Sequence, residues 1–146
     1  MFEFTSIANY HAGLQEGRFT TVLAVKHFLS RIESKKHLNA FNRVYADEAL
    51  ARAQWLDNEF QSRGVTGKLH GVVVGIKDVI CYKDHRVTAS SKVLENFVSV
   101  YSATVVEKML NEGAIIIGHL NCDEFAMGST NEHSYFGKVL NPLDET

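Results

Sequence analysis

Lys77 closes the segment Gly71-Val72-Val73-Val74-Gly75-Ile76-Lys77-Asp78, in which a branched apolar run gives way to a cation and then an anion. A cation at the end of such a strand stands where ligands gather in open α/β sheets, which invites a functional reading. The phosphate-loop alternative needs G-x-x-x-x-G-K-[ST]. Here three residues separate the glycines, Ile76 precedes the lysine and Asp78 replaces the magnesium-binding hydroxyl. Taken alone, these residues read as a strand whose last cation pairs with a surface acid.

Other reactive types recur further along. Ser90 and Ser91 are adjacent hydroxyls, read here as cap or loop residues. Asp123 and Glu124 resemble a general-acid pair, but at the head of a short turn they read better as a cap and an electrostatic anchor. Cys81-x3-His85 and His119-x2-Cys122 offer two pairs of zinc-type ligands. Neither has finger spacing, so reduced thiols and ordinary histidines are the simpler reading and no metal is assigned.

The chain that must position these groups has 146 residues, 45% of them hydrophobic and 22% charged, with Pro142 as its single proline. That composition belongs to a globular protein and excludes disorder, collagen and a disulfide scaffold. The formal charge of -2 comes from scattered residues, so no basic stripe announces nucleic-acid binding. No basic and apolar leader opens the sequence, and Ala114 to Ile117, the longest apolar run, is too short for a bilayer. A cytoplasmic protein without a membrane segment is expected.

Periodicity predicts the elements. The stretch from Thr5 to Arg63 has a helical pattern, broken by an extended piece around Asn39 to Tyr45. Thr20 or Thr21 caps a helix carrying Val22, Val25, Leu29 and Ile32 on one face. A second helix spans Ala46 to Ser62, with Leu50, Ala53, Trp55, Leu56 and Phe60 as its apolar surface and Gly64 as its stop. Beyond Gly64 the sequence predicts a buried strand at Val72 to Val74, a helix from Ser102 or Ala103 to Asn111, a stop at Gly113 and a second strand over Ala114 to Gly118. Strand, helix, strand suggests a βαβ unit with a parallel sheet. The fold class is therefore α/β in one domain over residues 1–146, helical to 64 and α/β from 65.

With this context, GVVVGIKD resembles the amidase-signature pattern G-[IV]-P-x-x-[IV]-K-D, with Val73 in the usual place of proline. TASSKVLENF and the run from Ala103 to Tyr135 continue the resemblance in order, and NCDEFAMGSTNE, residues 121–132, is its most specific part. Within the amidase-signature family, that wording is most similar to the ammonia-releasing subunits of tRNA-dependent amidotransferases.

The resemblance implies the fold of a larger amidase sheet, of which this chain would be the N-terminal part. It implies that Lys77 is the lysine of a lysine, bridging-serine and nucleophile-serine relay. The Met127 carbonyl would help hold the substrate amide, with Gly128 and Ser129 letting the chain pass close by. In the family both serines lie in segments of the type GGSSGGS and a nearby turn; no two adjacent glycines occur here. The resemblance thus implies a chain that is inactive at this length. It also implies partner subunits, one using ATP and magnesium, with glutamine and mischarged tRNA as substrates and no cofactor in this chain. His133, Tyr135 and Lys138 are bulkier than the family's usual residues. Self-association through uncovered apolar faces is a further expectation.

Overall fold

Ser6 opens the first helix by accepting from the Asn9 N–H at 3.1 Å, and Thr20 opens the second by accepting from Leu23 N–H at 3.1 Å. In the computed structural model, which describes residues 2–144, these become α1 (Ile7–Gln15) and α2 (Thr21–Ser34). There follow β1 (Phe41–Val44), α3 (Ala46–Arg63), β2 (Val73–Lys77), α4 (Thr104–Asn111) and β3 (Ile115–Leu120), with short 3-10 turns at Lys36–Leu38, Lys92–Leu94 and Glu124–Ala126. The predicted extended piece, both later strands and the helix between them are all present. The sheet is mixed and three-stranded in the order β1-β3-β2, with β1 antiparallel to β3. No helix among the described residues is long and apolar enough to cross a membrane.

The chain divides into two compact units, the first being Met1–Ile32, Tyr45–Val74 and Lys108–Ile117. Its core joins Phe2, Tyr10, Leu14, Ala24 and Val72, flanked by Phe19, Phe28, Phe60, Leu69 and Val74. The Phe2 ring meets Phe19 edge-on at 4.8 Å and Phe28 at 5.7 Å, and each such pair contributes roughly 0.5–1.5 kcal/mol beyond its buried area. Asp57 on α3 accepts from Thr21 N–H at 2.7 Å and Val22 N–H at 3.0 Å, satisfying the free amides that open α2. Gly113 ends α4 at φ 89°, a left-handed conformation in which a Cβ would also lie 2.9 Å from the His70 Cα, so no larger residue fits.

One expectation for this unit is corrected. Trp55 is half exposed, with the Arg52 guanidinium 5.7 Å from its ring, whereas Ala49, Ala53 and Leu56 are the buried residues of α3. Those three recur at steps of four and three, and Trp55, one residue before Leu56, is rotated roughly 100° off their stripe.

The second unit is Glu33–Val44, Gly75–Glu107 and Gly118–Thr146. Its part of the sheet pairs Phe41 with Leu120, Arg43 with His119 and Val44 with Gly118. The Asp78 N–H continues the pairing to the Leu120 carbonyl at 3.0 Å. In α4 Val106 is buried and Val105 beside it is half exposed.

Candidate functional site

Alternation along β2 decides where its last residues go. Ile76 and Asp78 are buried, and Lys77 between them is exposed at the strand's end. The described residues therefore leave the Lys77 side chain uncovered.

The hydrogen-bonding groups of Asp78 are all engaged. Its N–H donates to Leu120 and its carbonyl accepts from Ala89 N–H at 2.7 Å. One carboxylate oxygen accepts from Thr88 N–H at 3.0 Å, and the other from the Thr88 hydroxyl and from Asn42 Nδ2 at 2.8 Å. Charge-assisted bonds of this kind are stronger than neutral ones, so the end of β2 is held firmly where Lys77 emerges.

Ser90, which the sequence presents as a tempting nucleophile, has no capacity to spare. Its Oγ accepts from Asn42 Nδ2 at 3.0 Å and from Cys122 N–H at 3.1 Å, and donates to Asn121 Oδ1 at 3.1 Å. One donor and two lone pairs are the whole inventory of a hydroxyl. Ser91 accepts from Val93 N–H at the head of a 3-10 turn and donates to Glu124 Oε1 at 2.5 Å, which fits the cap predicted for it.

Two strained turns meet here. Ala89 and Ser90 have φ of 50° and 51°, and Phe125 and Ala126 have φ of 53° and 60°. Non-glycine residues rarely occupy that region, and adjacent pairs persist only where their surroundings hold them. The surroundings are each other: Phe125 N–H donates to the Ala89 carbonyl at 2.8 Å, and Tyr135 N–H to the Ser90 carbonyl at 2.9 Å. Two backbone bonds, Ala89 to Asp78 and Phe125 to Ala89, therefore tie the end of β2 to the turn that leads to Met127.

Met127, Gly128 and Ser129 are all exposed, Met127 at 82% of its free surface, so the methionine fills no gap in a core. Beneath them Asp123 is buried and accepts from Asn131 N–H at 3.0 Å and His133 N–H at 2.9 Å. It makes no cap bond to the 3-10 turn that follows it; it anchors the far end of the loop instead. The His133 amide above all, then those of Asn131 and Thr130, hold its carboxyl below the usual carboxylate range against the opposing effect of burial. His133, Tyr135 and Lys138 are exposed, so their bulk costs the loop no space.

The candidate zinc ligands have other engagements. His119 Nε2–H donates to the Ile80 carbonyl at 3.0 Å, with burial holding its pKa down, and the His85 ring stacks on Tyr82 at 3.9 Å. No group of three or more possible ligands occurs among the described residues. Sequence reasoning missed the roles of Asn42, Asp78, Thr88 and Asn121, because isolated polar residues carry no periodicity that marks them as hydrogen-bonding partners.

The description "Amidase" belongs to the family profile that matches residues 24–146. A glutamyl-tRNA(Gln) amidotransferase subunit from Chlorobium phaeobacteroides is 46% identical over 143 residues, covering 98% of this chain and 30% of that protein. Among solved structures, the peptide amidase of Stenotrophomonas maltophilia superposes with a TM-score of 0.87 at 26% identity over 97% of this chain and 30% of the other. The corresponding glutamyl-tRNA(Gln) amidotransferase subunit of Thermotoga maritima superposes at 0.65 with 36% identity, over 83% of this chain and 24% of its own. The chain spans about 30% of the length of the curated relatives it matches.

Proposed function

The chain belongs to the amidase family, and from that premise we propose that it is the N-terminal part of the glutamine-hydrolysing subunit of a glutamyl-tRNA(Gln) amidotransferase. The observation that carries this reading is Lys77 at the exposed end of β2, joined by two backbone hydrogen bonds to the turn that precedes Met127. Identity over nearly the whole chain to glutamyl-tRNA(Gln) amidotransferase subunits supports the choice of glutamine over other amides.

In this reading Lys77 takes a proton, through a bridging serine, from a nucleophilic serine supplied by further sequence. The serine oxygen bonds to the amide carbon, the C–N bond breaks, and the nitrogen leaves as ammonia with the transferred proton. Water then hydrolyses the acyl-serine to glutamate. The Met127 carbonyl accepts from the substrate amide, with Gly128 and Ser129 alongside. ATP and magnesium serve a partner subunit that activates the glutamyl end of the mischarged tRNA. The isolated chain carries one member of the relay and is inactive in this reading, in the cytoplasm as elsewhere.

The test is a chimera in which residues 1–146 replace the matching segment of the Chlorobium phaeobacteroides protein, assembled with its partners. Ammonia release from glutamine is expected, and Lys77→Ala is expected to abolish it. Undiminished release by the Lys77→Ala chimera would sink the assignment, and turnover by the isolated chain would sink its inactivity. Release from free peptide amides but not from glutamine would favour a fragment of a free amidase, the reading that the peptide amidase superposition supports.

A further inference from the structure

Met127, Gly128 and Ser129 belong to no α-helix or strand, and all three are exposed. A segment of that kind keeps a fixed path only if something beneath holds it. Beneath it is the Asp123 carboxylate, 2% exposed. One oxygen accepts from Asn131 N–H at 3.0 Å and the other from His133 N–H at 2.9 Å. From the near side Gly128 presses against the same group: a Cβ there would lie 2.4 Å from Oδ2 and 2.6 Å from Cγ. The loop closes behind the carboxylate, where Glu124 N–H donates to the His133 carbonyl at 2.8 Å. Asn131, at φ 60°, supplies the left-handed residue that turns these amides inward.

Amides converging on one buried point form an anion-binding concavity, and here the chain fills it with its own side chain. We propose that the loop from Gly128 to His133 is such a nest, with Asp123 as its internal anion and hence the positioning residue for Met127–Ser129. Emptied of that side chain, the nest takes a small carboxylate such as formate. The inference rests on the reading that Met127–Ser129 meet the substrate amide. The depressed pKa of Asp123, set first by the His133 amide, agrees with an anion held by backbone donors.

The experiment is amide hydrogen exchange at Asn131 and His133 in the whole chain, together with the Met127 methyl resonance. In Asp123→Ala, exchange at both amides is expected to quicken about 10- to 100-fold, as the loss of a charge-assisted bond requires, and the Met127 methyl to shift. Added formate restores both signals, and neutral formamide, of nearly the same shape, does not. Unchanged exchange in Asp123→Ala, or equal rescue by formate and formamide, would overturn the proposal. Where Asp123→Ala does not fold, Asp123→Asn carries the test: it keeps the shape and one acceptor but loses the charge, and wild-type exchange in it overturns the proposal. The two readings fail separately, since an active Lys77→Ala chimera removes the glutaminase assignment and leaves the formate rescue standing.

Discussion

Of the ten buried polar side chains among the described residues, Thr21 and His70 lie in the first unit and the other eight in the second. The first unit is closed by rings and aliphatic chains around Phe2, Tyr10 and Leu14, and burial of that kind is non-directional. The second is closed by Asp78, Thr88, Ser90, Asn121 and Asp123, whose bonds have fixed lengths and directions. A core held by packing accepts a change of shape at constant volume; a core held by hydrogen bonds accepts no change of chemistry even at constant shape. The candidate site residues Lys77 and Met127–Ser129 all belong to the second unit, where position is set by direction.

The largest effect should come from breaking the first kind of core. Leu56 is among the largest fully buried side chains, and Leu56→Ala is expected to cost about 2–5 kcal/mol in urea unfolding. A loss below about 1 kcal/mol would mean that packing at α3 is not what holds the first unit. The contrast sharpens with two nearly isosteric changes. Leu56→Met should cost less than about 1.5 kcal/mol. Asp78→Asn removes no volume but loses the charge that three donors address, and should cost about 1.5–3 kcal/mol. Equal losses for these two would remove the distinction between the units.

The same distinction explains what could be read before the fold was known. Helices α2 and α3 and the run from Val72 onward announce themselves through apolar spacing, because the property that buries them is repeated at a period. Even there Trp55 misleads, since a large apolar side chain one position off a stripe of alanines counts as hydrophobic wherever it points. Periodicity says nothing about Asn42, which spans 36 residues to reach Asp78 and 48 to reach Ser90. The site was legible through the motif alone: GVVVGIKD and NCDEFAMGSTNE mark its two pieces. What joins them, the strained turns at Ala89–Ser90 and Phe125–Ala126, consists of ordinary residues in unusual conformations.

A smaller and distributed effect is expected from pH, because each unit buries one histidine. Burial holds His70 and His119 below the 6.5 of an exposed imidazole, for His70 with the nearby His11 adding to the effect. As pH falls through 6.5 the unfolded chain takes up protons that the fold refuses, so stability is whole above that value and declines below it. Urea midpoints measured from about pH 8 to about pH 5 should fall, with His70→Gln and His119→Gln each removing part of the slope. If only His119→Gln flattens the profile, the histidine of the first unit is not a titrating element of its core. Asp123 acts in the same sense at lower pH: its contribution is present above the 3.8 of an ordinary carboxyl and is lost as pH falls towards its depressed value.

The smallest effect is expected at Ser6, and the same substitution made at Ser91 tests the comparison. Ser6 and Ser91 each accept a bond from a backbone N–H at the start of a helical turn, from Asn9 at 3.1 Å and from Val93 at 3.3 Å. Ser6 does only this, at the surface of the first unit, and Ser6→Ala should cost about 0.5–1 kcal/mol in the urea midpoint, as a solvated cap does. Ser91 is buried and also donates to the Glu124 carboxylate, so its removal loses a bond to a charged group next to the strained Phe125. Ser91→Ala should therefore cost about 1.5–3 kcal/mol, the range for a bond to a charged group. Because that bond holds the residue that begins the turn to Met127, the Ser91 variant should also shift the Met127 methyl resonance, and the Ser6 variant should leave it in place. Equal costs and an unmoved methyl would show that Ser91 is a cap and nothing more, and that the second unit holds its loop without it.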